Sequence, residues 1–220
     1  MCSNITVVMV NFKTPKLVEE AASSLLEHYP ETRLILIDNG GCVESLAVVR
    51  EIAQGRPNVH VVLNATNVGH GPALHRGFEL AETPFVFTLD SDTRVEKDGF
   101  FELMLKEFAQ DPKLFAIGWM RYVSDTGVPH RPPITAGHPY VHPFAAMYRR
   151  RLYERFQPFT QSGAPAIHLM KDVTSQGFHL ASFPIQDYVW HKIAGTRGMF
   201  GGQCLVNTDA RPSKWSPRRI

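Results

Sequence analysis

Asp90 and Asp92 stand two residues apart where the apolar run FVFTL (85–89) stops. A chain that only had to leave a strand could do so with one turn residue. Carboxylates at i and i+2 can instead converge on one hard cation where a strand end turns. Mg²⁺ and Mn²⁺ favour oxygen ligands and keep positions open for water and substrate phosphates, so such a pair suits a metal ion that holds a diphosphate. The plainer role is structural: Asp90 leaves the strand while Ser91 and Asp92 cap the next turn.

The surrounding sequence favours the chemical role. ITVVMVN (5–11), RLILID (33–38), NVHVVLN (58–64) and PFVFTLD (84–90) are apolar, β-branched runs of strand length. Between them, PKLVEEAASSLLEHY, ESLAVVREIAQ and GHGPALHRGFELA carry apolar residues on one helical face. A further helix falls within 99–109. Alternation at this spacing predicts βαβ units, a mostly parallel sheet with helices on both faces and right-handed crossovers. In such sheets ligands bind outside the carboxyl ends of the strands. All four of these strand ends carry Asn or Asp: Asn11, Asp38 with Asn39, Asn64 with Asn67, and Asp90 with Asp92. Each is an ordinary turn residue when taken singly; together they line one edge.

The second half is less regular. LFAIGWMRYV (114–123) reads as a strand, and 128–144 is a Pro- and His-rich segment that cannot be a long helix. Its H-x-x-x-H spacing would make a zinc pair on a helix, but Pro139 and Pro143 exclude that. Residues 144–156 return to strand and then helix, 167–176 form a short helix, and FHLASFP and DYVWH close the sheet.

With 220 residues, 44% of them hydrophobic, the chain can bury one full core. A net charge of +2 argues against a nucleic-acid partner. Cys2, Cys42 and Cys204 lack metal or disulfide spacing, which fits a reducing, cytoplasmic setting. No run is long enough to span a bilayer, and the N-terminus is not built like a signal peptide. In the C-terminal tail (204–220), the locally basic ARPSKWSPRRI (210–220) is suited at most to peripheral contact with a membrane surface or with a second copy in a homo-oligomer, and a solvated end is the plainer reading.

Four segments, in order, resemble a glycosyltransferase of the GT-A fold, similar to the large family 2. They are VVMVNFKTPKLVEEAASSLLEHY, LILIDNGG, NATNVGHGPALHRGFELA and TLDSDTRV. The resemblance implies a single Rossmann-like GT-A domain. Residues 1–102 would be its nucleotide-sugar half and 103–203 its acceptor and catalytic half. It implies that Asn11 and Phe12 line the nucleotide pocket, with Phe12 against the base. Asp38 or Asn39 would bond the base or ribose, Asn67 and Gly69 would shape the adjoining loop, and Arg76 would face the phosphates or donor sugar. Asp92 would ligate Mn²⁺ or Mg²⁺ directly, with Asp90 on the ribose or on the metal through water and Ser91 among the nucleotide-sugar-binding residues. His191 matches a family position that helps bind metal or diphosphate; the other reading is a histidine that closes a strand.

The implied reaction moves a sugar from a UDP-, GDP- or dTDP-sugar to a hydroxyl of a glycan, lipid-linked or small-molecule acceptor, with inversion. Its general base is where the pattern breaks. The family's acidic pair would fall at Pro165-Ala166, ahead of Gly177, and neither is an acid. Asp172 is the nearest carboxylate, with His168, Asp125 and Asp187 as alternatives. A haloacid-dehalogenase phosphatase would carry Asp-x-Asp on its first strand, and a sugar nucleotidyltransferase would need a Gly-rich loop where this chain has NFKTPK. A non-catalytic nucleotide-sugar-binding protein stays open because the acidic pair is missing. Trp119, Tyr122, Tyr140 and Phe144 could stack on an acceptor sugar, with core packing the expected role for at least half of them. AGTRGMFGG (194–202) is expected to be a lid.

Overall fold

The computed structural model describes residues 2–128, 137–160 and 163–192. The expected lid, the C-terminal tail and Cys204 lie outside them. Four parallel strands form the first half of one sheet: β1 (Ile5–Asn11), β2 (Arg33–Asn39), β3 (Val59–Asn64) and β4 (Phe85–Leu89). They alternate with α1 (Pro15–His28), α2 (Val43–Ala53) and α3 (His70–Leu80). After a short β5 (Thr93–Val95) come α4 (Phe100–Gln110), β6 (Leu114–Val123), β7 (His138–Arg149), α5 (Arg150–Tyr153), α6 (Ile167–Ser175), β8 (His179–Ser182) and β9 (Val189–His191).

The large sheet has the order β3-β2-β1-β4-β7-β6-β8, and β7 alone runs antiparallel to its neighbours. The chain moves outward from β1 to β3 and then returns to place β4 on the other side of β1. This reversal leaves a crevice between the carboxyl ends of β1 and β4, the place where open sheets of this kind receive ligands. Asn11 is the last residue of β1 and Asp90 follows the last residue of β4.

Strand alternation divides the core. Ile5, Val7 and Met9 of β1 face α1, α2 and α4, whereas Val8 and Val10 face α3 and α6. The first layer is closed by edge-to-face aromatics: Phe87 of β4 meets Phe101 with ring centroids 5.0 Å apart, and Tyr29 meets Phe100 at 5.2 Å. The second layer centres on Phe78, Tyr148 and Phe159, all inaccessible to solvent.

Two expectations change. DYVWH does not close the large sheet: Val189–His191 pairs antiparallel with Thr93–Val95 as a separate two-stranded ribbon. The Pro/His segment is also less of a loop than its composition suggests, because residues from His138 onward form the start of β7, in the interior of the sheet. Pro143 fits there because β6 and β7 lose register between Gly118 and Met120, so its missing N–H breaks no regular ladder. Tyr140 and Phe144 are accordingly buried in the core, while Trp119 and Tyr122 are half-buried.

Gly77 shows how closely α3 lies on β1: a Cβ there would fall inside van der Waals contact with the buried Val8 side chain. Alanine improves helix propensity by about 1 kcal/mol, but overpacking against a stiff β-branched neighbour costs about 1–3 kcal/mol. Gly77→Ala is expected to lower stability by up to about 2 kcal/mol in urea unfolding, with an unchanged m-value.

Candidate active site

The carboxylate pair sits where β4 ends and the chain turns into β5. Asp90 N–H donates to Phe144 O at 2.8 Å, and Thr93 Oγ1 donates to Asp90 O at 2.7 Å, so the turn is pinned from both sides. β5 then pairs with β9, setting Thr93 opposite His191, and Lys192 N–H donates to Asp92 O at 2.9 Å. That backbone ladder carries His191 to the carboxylates. Its Nε2 lies 3.3 Å from Asp92 Oδ1, and its ring stacks on Phe144 with centroids 4.6 Å apart at 14°.

Asp90, Asp92 and His191 each offer one ligand atom, all within 4.8 Å of one another. Asp92 is buried and the other two are partly so. Two carboxylates gathered in a poorly hydrated position favour a cation between them, and two oxygens with one imidazole nitrogen suit Mn²⁺ or Mg²⁺. The residues present therefore fit a divalent ion. His70, at the first turn of α3, places Nε2 3.5 Å from Asp90 Oδ1.

The polar residues at the ends of β1, β2 and β3 divide into two networks. Asn11 is inaccessible and bridges two neighbours: its Nδ2 donates to Asp38 Oδ1 at 3.0 Å, and its Oδ1 accepts from Thr14 at 2.8 Å. Register explains the first bond, since Asn11 and Asp38 are paired across β1 and β2. Asn11 thus orients Asp38. Phe12 follows it, half-buried, with Lys13 Nζ 5.2 Å from its ring centroid.

Asn39 organises the loop after β3. Its amide donates to Asn67 Oδ1 at 2.9 Å and Gly69 O at 3.3 Å, while its Oδ1 accepts from Asn64 at 2.8 Å and Val68 N–H at 3.2 Å. Gly40 (φ 72) packs so closely on the Thr66–Asn67 backbone that a Cβ would overlap it. Arg76 is exposed and donates to Leu63 O and Asn64 Oδ1, extending this network. Between adjacent residues of β2, then, Asp38 keeps a carboxylate held from one side and Asn39 is committed to the loop.

None of the candidate bases belongs to the Asp90, Asp92 and His191 group. Asp172 of α6 accepts from Gln176, the residue that caps the end of that helix, at 2.9 Å. Asp125 lies in the turn after β6 and pairs with His138 and Lys171, which hold its carboxyl below the usual range, Lys171 foremost. His168 and Asp187 are exposed. Sequence reasoning missed Thr14, His70, Thr93 and the Phe144 stack. Thr93 had a signal in the β-branched TRV after the carboxylates; His70 had none beyond its place in GHG.

A mostly parallel sheet with a polar crevice and a candidate metal centre at its switch point is an architecture that receives ligands beyond the carboxyl ends of its strands. The chain matches the model of glycosyl transferase family 2 over residues 6–168, and it belongs to that family. It is 29% identical over 114 residues to poly-beta-1,6-N-acetyl-D-glucosamine synthase of Staphylococcus epidermidis, an alignment that covers 51% of this chain and 27% of that protein. Among solved structures it resembles a Pyrobaculum calidifontis mannosyltransferase in complex with GDP-Man and Mn²⁺, with TM-score 0.65 and 19% identity over 80% of this chain and 53% of that one. It also resembles Staphylococcus aureus TarS in complex with UDP-GlcNAc, with TM-score 0.63 and 19% identity over 84% and 57% of the two chains. The fold is GT-A. The chain spans about a quarter of the length of the curated relative and a little over half of each solved one.

His191 titrates above its ordinary value of 6.5: burial pulls it down, but the Asp92 hydrogen bond and the charges of Asp92 and Asp90 outweigh that. A raised folded-state value stabilises the metal-free protein fully below pH 6.5 and ceases to do so as pH rises through it. In EDTA, the melting-temperature advantage over His191→Gln is expected to be greatest below pH 6.5 and to shrink above it. Added Mn²⁺ should reverse the trend, because the ligand is the neutral imidazole.

Proposed function

We propose that the protein is a metal-dependent glycosyltransferase that uses a nucleotide-diphosphate sugar and inverts the anomeric centre. The convergence of Asp90, Asp92 and His191 at the switch-point edge carries this reading. Asp92 and His191 would hold Mn²⁺ or Mg²⁺, with Asp90 beside them. The ion supplies positive charge to the leaving diphosphate.

The protein's own groups do the rest. Asp38, fixed by Asn11, accepts from the base or ribose, and Phe12 flanks the base. Asn39, Asn67 and Gly69 hold the loop that borders the nucleotide. Asp172 takes the proton of the acceptor hydroxyl. That oxygen bonds to the anomeric carbon on the face opposite the diphosphate, the carbon–phosphate-oxygen bond breaks, and the nucleoside diphosphate leaves with the electron pair. The acceptor is a glycan, a lipid-linked sugar or a small hydroxyl compound. Among the described residues no helix is long and apolar enough to cross a membrane.

Calorimetric titration of UDP, GDP, dTDP and CDP, with Mn²⁺ or with EDTA, tests the donor site. One nucleotide is expected to bind in a metal-dependent manner, and Asp92→Asn to weaken it by at least about tenfold. If none binds in any condition, the transferase reading fails.

The position of Pro165-Ala166 in place of an acidic pair favours one second reading, a nucleotide-sugar-binding protein without transfer activity. Asp172→Asn separates the two. A lost base lowers kcat by about 10²–10⁴-fold with nucleotide affinity unchanged. Unchanged turnover would pass the role to Asp125, His168 or Asp187, and absence of turnover in the wild type with intact nucleotide binding would support the non-catalytic reading.

A further inference from the structure

Arg121 lies in β6 opposite Tyr140 of β7 and is half-buried. Its Nη1 is inaccessible to solvent and has no hydrogen-bond partner among the described residues. Burial lowers its pKa, with no opposing pull from a carboxylate. Arg149, also half-buried, is the contrast: it donates to the Phe108, Asp111 and Leu114 carbonyls and so secures the end of α4. A structural guanidinium finds acceptors, because an unmet buried donor is costly. Arg121 has instead the ring of Trp119, 4.6 Å from the guanidinium carbon to the ring centroid. Because Nη1 is closed to solvent and the residue as a whole is not, an external anion would meet the Nε–Nη2 edge, a fork that can receive two oxygens of a phosphate or carboxylate.

The surroundings connect this fork to the candidate metal centre. Trp119 contacts His142 at 5.8 Å and Phe144 at 5.9 Å between ring centroids; these lie 6.5 Å and 4.6 Å from the His191 ring. One continuous wall of rings therefore runs from Arg121 to the residue beside Asp92. The loss of register between β6 and β7 builds that wall: the pair after Gly118–Ala146 is Met120–Val141, so β7 bulges over His142–Ala145. Gly118 permits it, since a Cβ there would stand 3.0 Å from Ala145 O, Ala146 Cβ and Val141 Cγ1.

Position in the sheet separates the two ends of the crevice. Asp38 and Asn11 lie on β2 and β1, on one side of β4, whereas Arg121 lies two strands away on the other side. We infer that Arg121, backed by Trp119, is an anion subsite on the acceptor side, and that the acceptor carries a phosphate or carboxylate group which this guanidinium binds. The word acceptor rests on the nucleotide-sugar reading above; the anion subsite itself does not.

The test has two arms, each with wild type, Arg121→Met and Arg121→Lys, all checked by circular dichroism. In the first, inorganic phosphate, glucuronate and neutral glucose are titrated in EDTA while the arginine Nε–H and tryptophan indole N–H signals are followed by ¹⁵N NMR. Signals are assigned by their absence in Arg121→Met and Trp119→Phe. Phosphate and glucuronate should move the Arg121 and Trp119 signals saturably, and glucose should not. For Trp119 the response should weaken by at least about tenfold in Arg121→Met and by less in Arg121→Lys, which keeps the charge but loses the fork. Signals that stay still, or a Trp119 response that is the same in Arg121→Met, would overturn the subsite. In the second arm the nucleotide identified above is titrated with Mn²⁺. Equal affinity in wild type and Arg121→Met assigns the anion to the acceptor. A tenfold loss in the variant gives the guanidinium to the donor diphosphate and overturns the acceptor assignment. Should wild type bind no nucleotide, the donor reading fails while the first arm still decides the subsite.

Discussion

Two carboxylates placed two residues apart at the end of a buried strand repel one another, and proximity to the core deprives them of the water that would screen them. Much of the local architecture answers that constraint. The turn is locked by bonds from Thr93 and to Phe144, so the pair cannot relax outward. Histidines approach from opposite parts of the chain, His70 to Asp90 and His191 to Asp92. The small β5–β9 ribbon delivers His191 by backbone pairing, and Phe144 holds its ring in plane. A protein that needed only a strand end would gain nothing from this arrangement.

The same edge divides labour between neighbouring residues. Asp38 and Asn39 are consecutive, and their side chains serve opposite directions: one is tethered by Asn11 of β1, the other by the loop after β3. The crevice is thus shaped by side-chain bonds across strands whose spacing the parallel ladder already fixes. Beyond β4 the antiparallel β7 and its bulge take over, and aromatic rings replace amides as the lining.

The βαβ half was legible because its signals are long and redundant. Continuous β-branched runs, helical apolar faces and Asn or Asp at every strand end all point one way, as with VVMVN, LILID and FVFTLD. The carboxylate pair and His191 were legible as ligand types, although family likeness rather than periodicity drew attention to His191. Three-residue strands such as TRV and VWH carry no period of their own, so their pairing could not be inferred. β7 was concealed by Pro139 and Pro143, which look like loop signals until the bulge gives the second a place. Asn11 and Asn39 looked like pocket residues by type; only cross-strand register reveals that they spend their hydrogen bonds on other protein groups. The general base stayed obscure because a carboxylate's role depends on what it faces, and no spacing rule supplies that for Asp172.

Asn39 holds a consequence beyond the strand edge on which it lies. An amide is a two-signed group: one end gives protons and the other takes them, and here the described bonds use both ends. A carboxylate has the same outline but one sign. At position 39 it would set oxygen against Asn67 Oδ1 and Gly69 O, up to 30 residues along the chain, while still attracting Asn64 and Val68 N–H. The loop would then be pulled and pushed at once, and its shape would have to change. The replacement of one oxygen by an NH₂ group, invisible in the outline of the side chain, decides which loop conformation this strand can carry.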